Sequence, residues 1–440
     1  MIFEDMKPKK VEAIKKFLAD KKVLVVDEKK TTRTTLKKIF TEFGVKVQHI
    51  FIADNNSDAV EIINDLKIDI VFADYQVGNE EGIDLLSTHM AIFPNRQRAI
   101  FTLISGPNSI ASSSLILDTE ADDYIAEPFT SKSISESFLK ILERKITSSP
   151  FLNAYHKTKE LIYLNEFETA RKIIEPLKQG NNHLDEVYYL EGKIFLAEEN
   201  TQEAIKLFEM ALQENESHYL SLKTLAEEYS KLKKWKDAYT HTIKMLNHYP
   251  INPANLPELI RLSIANQQYE DLVKYAEFFS KLEVQSPCIK TNIAASLVIC
   301  SRYFLKNKER DKGVKTLLEA VKHSSGKLAI LEKIILLLIE FEEVKLAYDI
   351  LNQFDSVHGE NPSYRNLEIQ IDYCNRDIQS VLKKGIPLAE SGVANIDVYE
   401  VVILSSIKAQ RKANSIMHLI DKAIAKFPES SKHFQSMYKE

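Results

Sequence analysis

The chain has 440 residues, of which 44% are hydrophobic and 28% are charged, so a soluble globular protein with two or more domains is predicted. The net charge of −5 offers no basic surface of the kind that nucleic acids need, and no apolar run is long enough to cross a membrane. The acidic start, Met-Ile-Phe-Glu-Asp, is unlike an export signal, which favours a cytoplasmic location.

The first predicted element is a short amphipathic helix within residues 8–20. Its apolar face would carry Val11, Ile14, Phe17 and Leu18. A helix that covers one edge of the next domain is favoured over a dimerisation element. The oligomeric state is not fixed by the sequence, and a homodimer is compatible with it.

From residue 21 to residue 147, apolar strands alternate with helices. The predicted strands are Val23–Val26, Gln48–Ala53, Asp69–Ala73, Arg98–Ile104 and Tyr124–Ala126. The predicted helices are Thr31–Phe43, Ser57–Leu66, Gly82–Phe93, Ser109–Asp118 and Ser133–Ile146. Near-continuous apolar strands indicate a parallel sheet with helices on both faces, and five such units fit a flavodoxin-like α/β fold with strand order 2-1-3-4-5.

Oxygen-bearing side chains follow several of these strands. Asp27 and Glu28 end the first strand, Asp74 ends the third, and Ser105 ends the fourth. Because the carboxyl ends of parallel strands share one edge of the sheet, these groups are expected to meet there. Mg²⁺ prefers oxygen ligands, so the pattern predicts a site for a divalent metal ion and a phosphoryl group.

The run Asp69-Ile-Val-Phe-Ala-Asp74-Tyr-Gln-Val-Gly-Asn-Glu-Glu-Gly82, with Val23-Leu-Val-Val-Asp27-Glu28 upstream, resembles the receiver domain of bacterial two-component response regulators. The resemblance implies that Asp74 accepts a phosphoryl group from a phosphohistidine on a sensor histidine kinase or a phosphotransfer protein. It also implies two further groups of residues. The Mg²⁺ ligands would be Asp27, Glu28, Asp74 and the backbone carbonyl of Gln76, and the residues that respond to phosphorylation would be Ser105 and Tyr124.

The chain departs from the receiver pattern at three positions. Glu127 stands where the family has a lysine, Glu28 replaces an aspartate, and Gly78 replaces a proline. Unit charges about 4 Å apart interact by about 4 kcal/mol at a surface-like dielectric, so the change from lysine to glutamate is large. Glu127 is expected either to point away from the site or to attract a cation. The metal site is expected to persist, whereas coupling between phosphorylation and conformational change stays open.

After the link at residues 147–150 the pattern becomes all-helical and repetitive. Ala170, Ala204, Ala238 and Leu272 follow one another at intervals of 34 residues. This period resembles the tetratricopeptide repeat (TPR), a helix–turn–helix unit. The later spacing is less regular: Val314 lies 42 residues after Leu272, and a longer helix pair is predicted there.

Roughly eight hairpins are expected between residues 151 and 430, in a domain that covers 148–440. The resemblance implies a superhelical solenoid whose first helices line a groove for another protein. Candidate groove residues are Tyr189, Lys193, Lys223, Glu227 and Arg261.

Three functions fit these features. The leading hypothesis is an atypical response regulator with a TPR protein-binding output, which modulates a sensor kinase or its phosphotransfer. The alternative is a phosphorylation-independent scaffold with a vestigial acidic site. A phosphohydrolase is disfavoured because Gln76 stands where such enzymes have a second aspartate, so no catalytic residue is assigned and no enzyme is predicted.

Overall fold

The computed structural model describes residues 6–78, 80–105, 118–180, 182–282 and 287–438, and only the backbone of Ser105. The chain divides into two compact units, residues 1–262 and 263–440. The predicted helix Ser109–Asp118 lies outside the described residues except for its last residue. The domain boundaries at residues 20 and 147 stay predictions.

The first unit contains a five-stranded parallel sheet. Its strands are β1 (Val23–Val26), β2 (Ile50–Ala53), β3 (Ile70–Asp74), β6 (Ile100–Ser105) and β7 (Asp123–Ala126), with a short antiparallel pair, β4 (Gln76–Val77) and β5 (Glu80–Glu81), beside it. The parallel strands lie in the order β2-β1-β3-β6-β7, which is the predicted flavodoxin-like order 2-1-3-4-5. The register sets Val23 opposite both Ile50 and Ile70.

Helices cover both faces of the sheet. They are α1 (Pro8–Leu18), α2 (Lys30–Glu42), α3 (Asn56–Leu66), α4 (Leu85–Ile92) and α5 (Ser131–Ile146). On one face, Phe72 packs edge-to-face against Phe40 of α2 and Phe138 of α5. On the other face, Val71 packs in a buried cluster with Ile63 of α3. Burial on both sides explains why the strands are apolar at successive positions.

The first helix is part of this core. Ile14 and Leu18 of α1 are fully buried in the cluster that contains Val23, and Phe17 packs against it. The apolar face of α1 therefore covers the α/β domain.

Helical hairpins follow the sheet. Those of the first unit use α6 (Pro150–Tyr163), α7 (Phe167–Gln179), α8 (Leu184–Ala197), α9 (Thr201–Glu214), α10 (Tyr219–Lys231), α11 (Trp235–His248) and α12 (Leu256–Ala265), in which the division between the units falls. The second unit continues with α13 (Tyr269–Ser280), α14 (Pro287–Lys306), α15 (Arg310–His323), α16 (Leu328–Glu340), α17 (Val344–Asn352), α18 (Asp355–His358), α19 (Pro362–Cys374), α20 (Ile378–Glu390), α21 (Ile396–Lys408), α22 (Ala413–Lys426) and α23 (Ser431–Ser436). Among the described residues, no helix is both long and apolar enough to span a membrane.

A single left-handed residue marks the turn of each of the eight hairpins in the described part of the chain. These residues are Asn165, Glu199, Lys233, Gln267, Lys308, Glu342, Arg376 and Gln410. They are 34 residues apart throughout, except that Lys308 follows Gln267 by 41. The all-α, TPR-like prediction is therefore confirmed.

The longer interval belongs to the fifth hairpin. Its first helix, α14, has 20 residues, so the predicted longer helix pair is present. The residue equivalent to Ala170, five positions after the turn residue, is Gly313 rather than Val314. The predicted interval of 42 was wrong by one because Val314 fits the apolar pattern and Gly313 does not.

Candidate functional site at the carboxyl edge of the sheet

Asp27 directly follows β1 and is the most deeply buried acid of the site. Its side chain has no exposed surface. Oδ1 accepts a hydrogen bond from the Lys29 backbone N–H at 2.6 Å, whereas Oδ2 is buried without a hydrogen-bond partner among the described residues. Burial raises the pKa of the Asp27 carboxyl. A buried carboxylate oxygen without a donor is suited to a cation or a water molecule.

Asp74 ends β3 beside Asp27 and is half-buried. Its Oδ1 accepts a hydrogen bond from the Gln76 backbone N–H at 3.2 Å. The pKa of Asp74 is raised to about 6, mainly by burial and also by the negative charges of Asp27 and Glu127, while the Gln76 N–H and the Lys29 cation act in the opposite direction. Asp27, Asp74, Lys29 and Glu127 thus form one electrostatic site.

Gly82 allows the chain to pass close behind Asp74. A Cβ at position 82 would lie 2.0 Å from the Asp74 carbonyl oxygen, and the Gly82 N–H donates to the Tyr75 carbonyl at 2.8 Å. Only glycine fits this approach, which explains the glycine eight residues after the predicted phosphoacceptor.

Glu28 lies on the exposed side of the same edge. Its Oε1 is 3.1 Å from the position that a Cβ of Gly78 would occupy, so the carboxylate lies against the β4–β5 loop. Arg33 holds the loop that follows β1, because its guanidinium donates to the backbone carbonyls of Asp27 at 2.5 Å and Glu28 at 2.9 Å. Only 13% of the Arg33 side chain is exposed.

Glu127 forms an ion pair with a cation, which is one of the two outcomes expected from the sequence. The Lys29 ammonium lies 3.1 Å from Glu127 Oε2, and this pair joins the β1 loop to the end of β7. The Glu127 carboxylate raises the pKa of Lys29, and the charges of Asp74 and Asp27 raise it further. Sequence reasoning missed Lys29, although a basic residue directly after an acidic pair was a visible signal.

This edge of the sheet offers few side-chain ligands for a divalent cation. Among the described residues, no three His, Cys, Asp or Glu side chains are arranged to hold a metal ion. Mg²⁺ nevertheless keeps several waters and is usually held by one or two carboxylates, and the unpartnered Asp27 Oδ2 beside Asp74 meets that requirement. The oxygens present therefore fit Mg²⁺, without forming a preformed cage.

The remaining receiver positions lie around this edge. The Ser105 backbone ends β6 and pairs with Ala126, while its side chain lies outside the described residues. Tyr124 of β7 is half-buried and packs against the cluster that contains Leu103. The Gln76 side-chain amide donates to the Gly78 carbonyl at 2.9 Å and is exposed.

The predicted groove residues divide into three groups. Tyr189 is only 7% exposed and packs against Phe208 and His218, so it offers little accessible surface. Lys193 is half-buried, and burial lowers its pKa. Lys223, Glu227 and Arg261 line one cavity of about 380 Å³.

Known proteins are similar in sequence to this chain over the α/β domain. A family model for the response regulator receiver domain matches residues 23–138. The chain is 31% identical over 121 residues to the chemotaxis protein CheY of Thermotoga maritima, in an alignment that covers 28% of this chain and 97% of that protein. This chain belongs to the response regulator receiver family. The receiver is also 28% identical over 124 residues to the aerobic respiration control protein ArcA of Escherichia coli strain K12, which covers 28% of this chain and 48% of ArcA.

Two solved structures were compared with the whole chain. A response regulator protein from Burkholderia pseudomallei, with a phosphorylated aspartic acid, calcium ion and citrate, is 19% identical and covers 35% of this chain and 91% of its own, with a TM-score of 0.25. The protein pilF of Pseudomonas aeruginosa is 14% identical and covers 49% of this chain and 95% of its own, with a TM-score of 0.24. At these scores, the receiver assignment depends on the sheet order and the sequence matches. Its receiver makes this chain a two-component response regulator.

Proposed function

We propose that Asp74 is phosphorylated by a sensor histidine kinase or a phosphotransfer protein, and that the TPR-like hairpins bind another protein as the output. The observation that carries the first part is the Asp74 carboxylate beside buried Asp27, whose Oδ2 has no donor among the described residues. Phosphoryl transfer to an aspartate uses a nucleophilic carboxylate beside an oxygen that can bind a cation, and this pair of side chains provides both.

In the proposed step, an oxygen of Asp74 attacks the phosphorus atom of the phosphohistidine. The new O–P bond forms as the P–N bond breaks, and its electron pair stays on the imidazole nitrogen of the donor. Asp27, Glu28, Asp74 and the Gln76 carbonyl would hold Mg²⁺, which neutralises the transferred charge when bound. Ser105 and Tyr124 are the residues proposed to respond to the phosphoryl group.

Lys29 supports phosphorylation despite the altered position 127. Its ammonium offsets the Glu127 carboxylate at 3.1 Å and also acts on Asp74. The positive charge that other receivers place at position 127 is therefore supplied from the loop after β1. We propose that Lys29 orients and neutralises the phosphoryl oxygens, with Glu127 as its positioning partner.

The output is proposed to be protein binding in the cytoplasm, by which the chain modulates a sensor kinase or its phosphotransfer. The cavity that contains Lys223, Glu227 and Arg261 supports a binding role, because it combines charged and apolar walls. Equal phosphate transfer to a competing receiver with and without this protein would contradict the modulation.

The direct test is to incubate the full chain with Mg²⁺ and acetyl phosphate and to measure intact mass. One base-labile phosphoryl group is expected on the wild type, none on the Asp74→Asn variant, and the wild-type amount on Asp65→Asn, which changes an exposed acid of α3. Equal phosphorylation of the Asp74→Asn variant and the wild type would overturn the assignment.

A phosphorylation-independent scaffold is the second candidate. Glu127 and the absence of a three-acid metal arrangement in the described residues favour it. It predicts that Asp74→Asn leaves partner binding unchanged. We assign no enzymatic activity, since the exposed Gln76 amide stands where a phosphohydrolase has its second acid.

A further inference from the structure

An acidic segment, residues 118–122, connects the receiver to the hairpins within the first unit. Its carboxylates alternate along the chain and have different partners. Asp122 pairs inside the receiver with Lys145 at 2.5 Å and Arg96 at 3.1 Å. Glu120 pairs with Lys159 of α6 at 2.5 Å, and Asp118 reaches farther into the hairpins.

Four donors surround the Asp118 carboxylate, and we call them the carboxylate socket: Tyr219, Lys223, Asn252 and Asn255. The Lys223 ammonium donates to Oδ1 at 2.7 Å, and Tyr219 Oη donates to the same oxygen. The side-chain amides of Asn252 and Asn255 donate to Oδ2 at 2.5 Å and 3.3 Å. Only 6% of the Asp118 side chain is exposed, so the carboxylate is enclosed by protein donors.

The socket belongs to the hairpins rather than to the receiver. Tyr219 and Lys223 lie one turn apart on α10, while Asn252 and Asn255 immediately precede α12. One ammonium and three neutral donors match a single carboxylate in charge and hydrogen-bond number. The same four donors could hydrogen-bond to a carboxylate of any other polypeptide that reached them.

The socket opens into the cavity of about 380 Å³, because Lys223 and Asn255 line both. Ala226, Met245 and Leu259 give this cavity an apolar wall. A segment that placed a carboxylate in the socket would therefore place a neighbouring aliphatic side chain against that wall.

We propose that the carboxylate socket is the recognition site for an acidic segment of a partner protein, and that the receiver fills this site with its own Asp118. This inference rests on the proposed protein-binding role of the hairpins and adds the chemistry of the partner. A tethered ligand competes at a millimolar effective concentration, so an external segment gains access mainly when Asp118 leaves. The acidic segment runs directly into β7, so the receiver controls access to the socket.

The test uses the full chain and a fluorescent peptide with the sequence of residues 116–125, Ile-Leu-Asp-Thr-Glu-Ala-Asp-Asp-Tyr-Ile. Binding is measured by anisotropy without phosphodonor or Mg²⁺. We expect the Asp118→Ala chain to bind the peptide at least tenfold more tightly than the wild type. Adding Lys223→Met should remove that gain, and a peptide with asparagine in place of its first aspartate should show no gain.

Glu136→Gln is the control, since this glutamate lies on the receiver with 58% of its side chain exposed; it should bind the peptide as the wild type does. A folded Asp118→Ala chain, checked by circular dichroism, with no gain in peptide affinity would overturn the proposal. A gain that survives Lys223→Met would also overturn it. If Asp118→Ala does not fold, the same comparison with Asp118→Asn, which keeps the size of the side chain, decides.

The outcome is separate from phosphorylation. A peptide that binds the Asp118→Ala chain while acetyl phosphate fails to modify Asp74 would refute the receiver proposal and leave the socket standing. If acetyl phosphate modifies Asp74 while the Asp118→Ala chain gains no affinity for the peptide, only the socket proposal is refuted.

Discussion

At the scale of single residues, the acidic site shows how one altered charge is balanced by another. Glu127 carries a negative charge where the receiver pattern has a lysine. Lys29, which is 98 residues earlier in the sequence, pairs with this carboxylate. The pair keeps a cation at the edge of the sheet near Asp74. The cation is therefore held on the loop after β1, where it is paired with the anion at position 127.

This arrangement predicts the effect of three substitutions on phosphorylation by acetyl phosphate. Lys29→Met should lower the rate about tenfold or more, since a cation contributing about 1.4 kcal/mol to the transition state corresponds to a factor of ten. Glu127→Lys should raise the rate because it adds a cation and removes an anion. The pair Lys29→Glu with Glu127→Lys should keep most of the wild-type rate.

The matched control is Lys30→Met, which removes the exposed lysine next in sequence and should leave the rate unchanged. If the Lys29→Met chain is phosphorylated at the wild-type rate, Lys29 stabilises the loop after β1 and does not take part in phosphoryl transfer.

Sequence reasoning placed Asp27 and Asp74 at one edge, where the structure also has them, because strand ends in a parallel sheet share a side. It could not find the Lys29–Glu127 pair or the contacts of Asp118. Both depend on side chains from elements far apart in the chain, and no local pattern encodes such a partner.

At the scale of secondary-structure elements, the hairpins depend on close approach of their two helices. Gly192 of α8 is the clearest case, since a Cβ there would lie 2.5 Å from Cε1 of Phe208 in α9. A residue without a side chain is thus required at position 192 by the aromatic ring opposite it.

We predict that Gly192→Ala lowers the free energy of unfolding by about 1–3 kcal/mol through overpacking against Phe208. Phe208→Leu in the same chain should recover part of this loss. The measurement is urea unfolding followed by fluorescence of Trp235, the single tryptophan, which packs against the same cluster.

Gly180→Ala provides the control, because its added Cβ would meet nothing closer than the Leu177 carbonyl oxygen at 3.5 Å. It should be neutral or stabilise by up to about 1 kcal/mol, because alanine restricts the unfolded chain. An equal loss in both variants would show that backbone freedom, not helix approach, decides the result at position 192.

At the scale of the whole chain, stability depends on buried polar groups that connect elements of the first unit. His89 is fully buried, and its Nε2 lies 3.0 Å from the Ile68 carbonyl while Nδ1 lies 3.1 Å from Arg96. Burial lowers the pKa of His89 to about 3, and the Arg96 charge acts in the same direction. His89 is therefore neutral in the folded protein.

This pKa predicts acid sensitivity. The unfolded chain takes up a proton on His89 below about pH 6.5, and the folded chain does so only near pH 3, so the unfolded state binds more protons between these values. The stabilisation is complete above about pH 6.5 and is lost as the pH falls, by up to about 1.4 kcal/mol per pH unit.

Urea midpoints measured with Trp235 fluorescence from about pH 7 to about pH 5 test this. The His89→Gln chain should start less stable, because the substitution disturbs the contacts to Ile68 and Arg96, but its midpoint should fall less steeply than that of the wild type. Parallel curves for the two proteins would contradict the role of His89.

The sequence by itself determined the receiver fold, the strand order, the place of Asp27 and Asp74, and the TPR-like period, because periodic burial and strand-end chemistry are local properties. Only the tertiary structure decided that Tyr189 is buried, that Lys29 neutralises Glu127, and that the hairpins enclose Asp118. These outcomes depend on which side chains meet after the elements pack, and a partner about a hundred residues away leaves no mark in the local sequence.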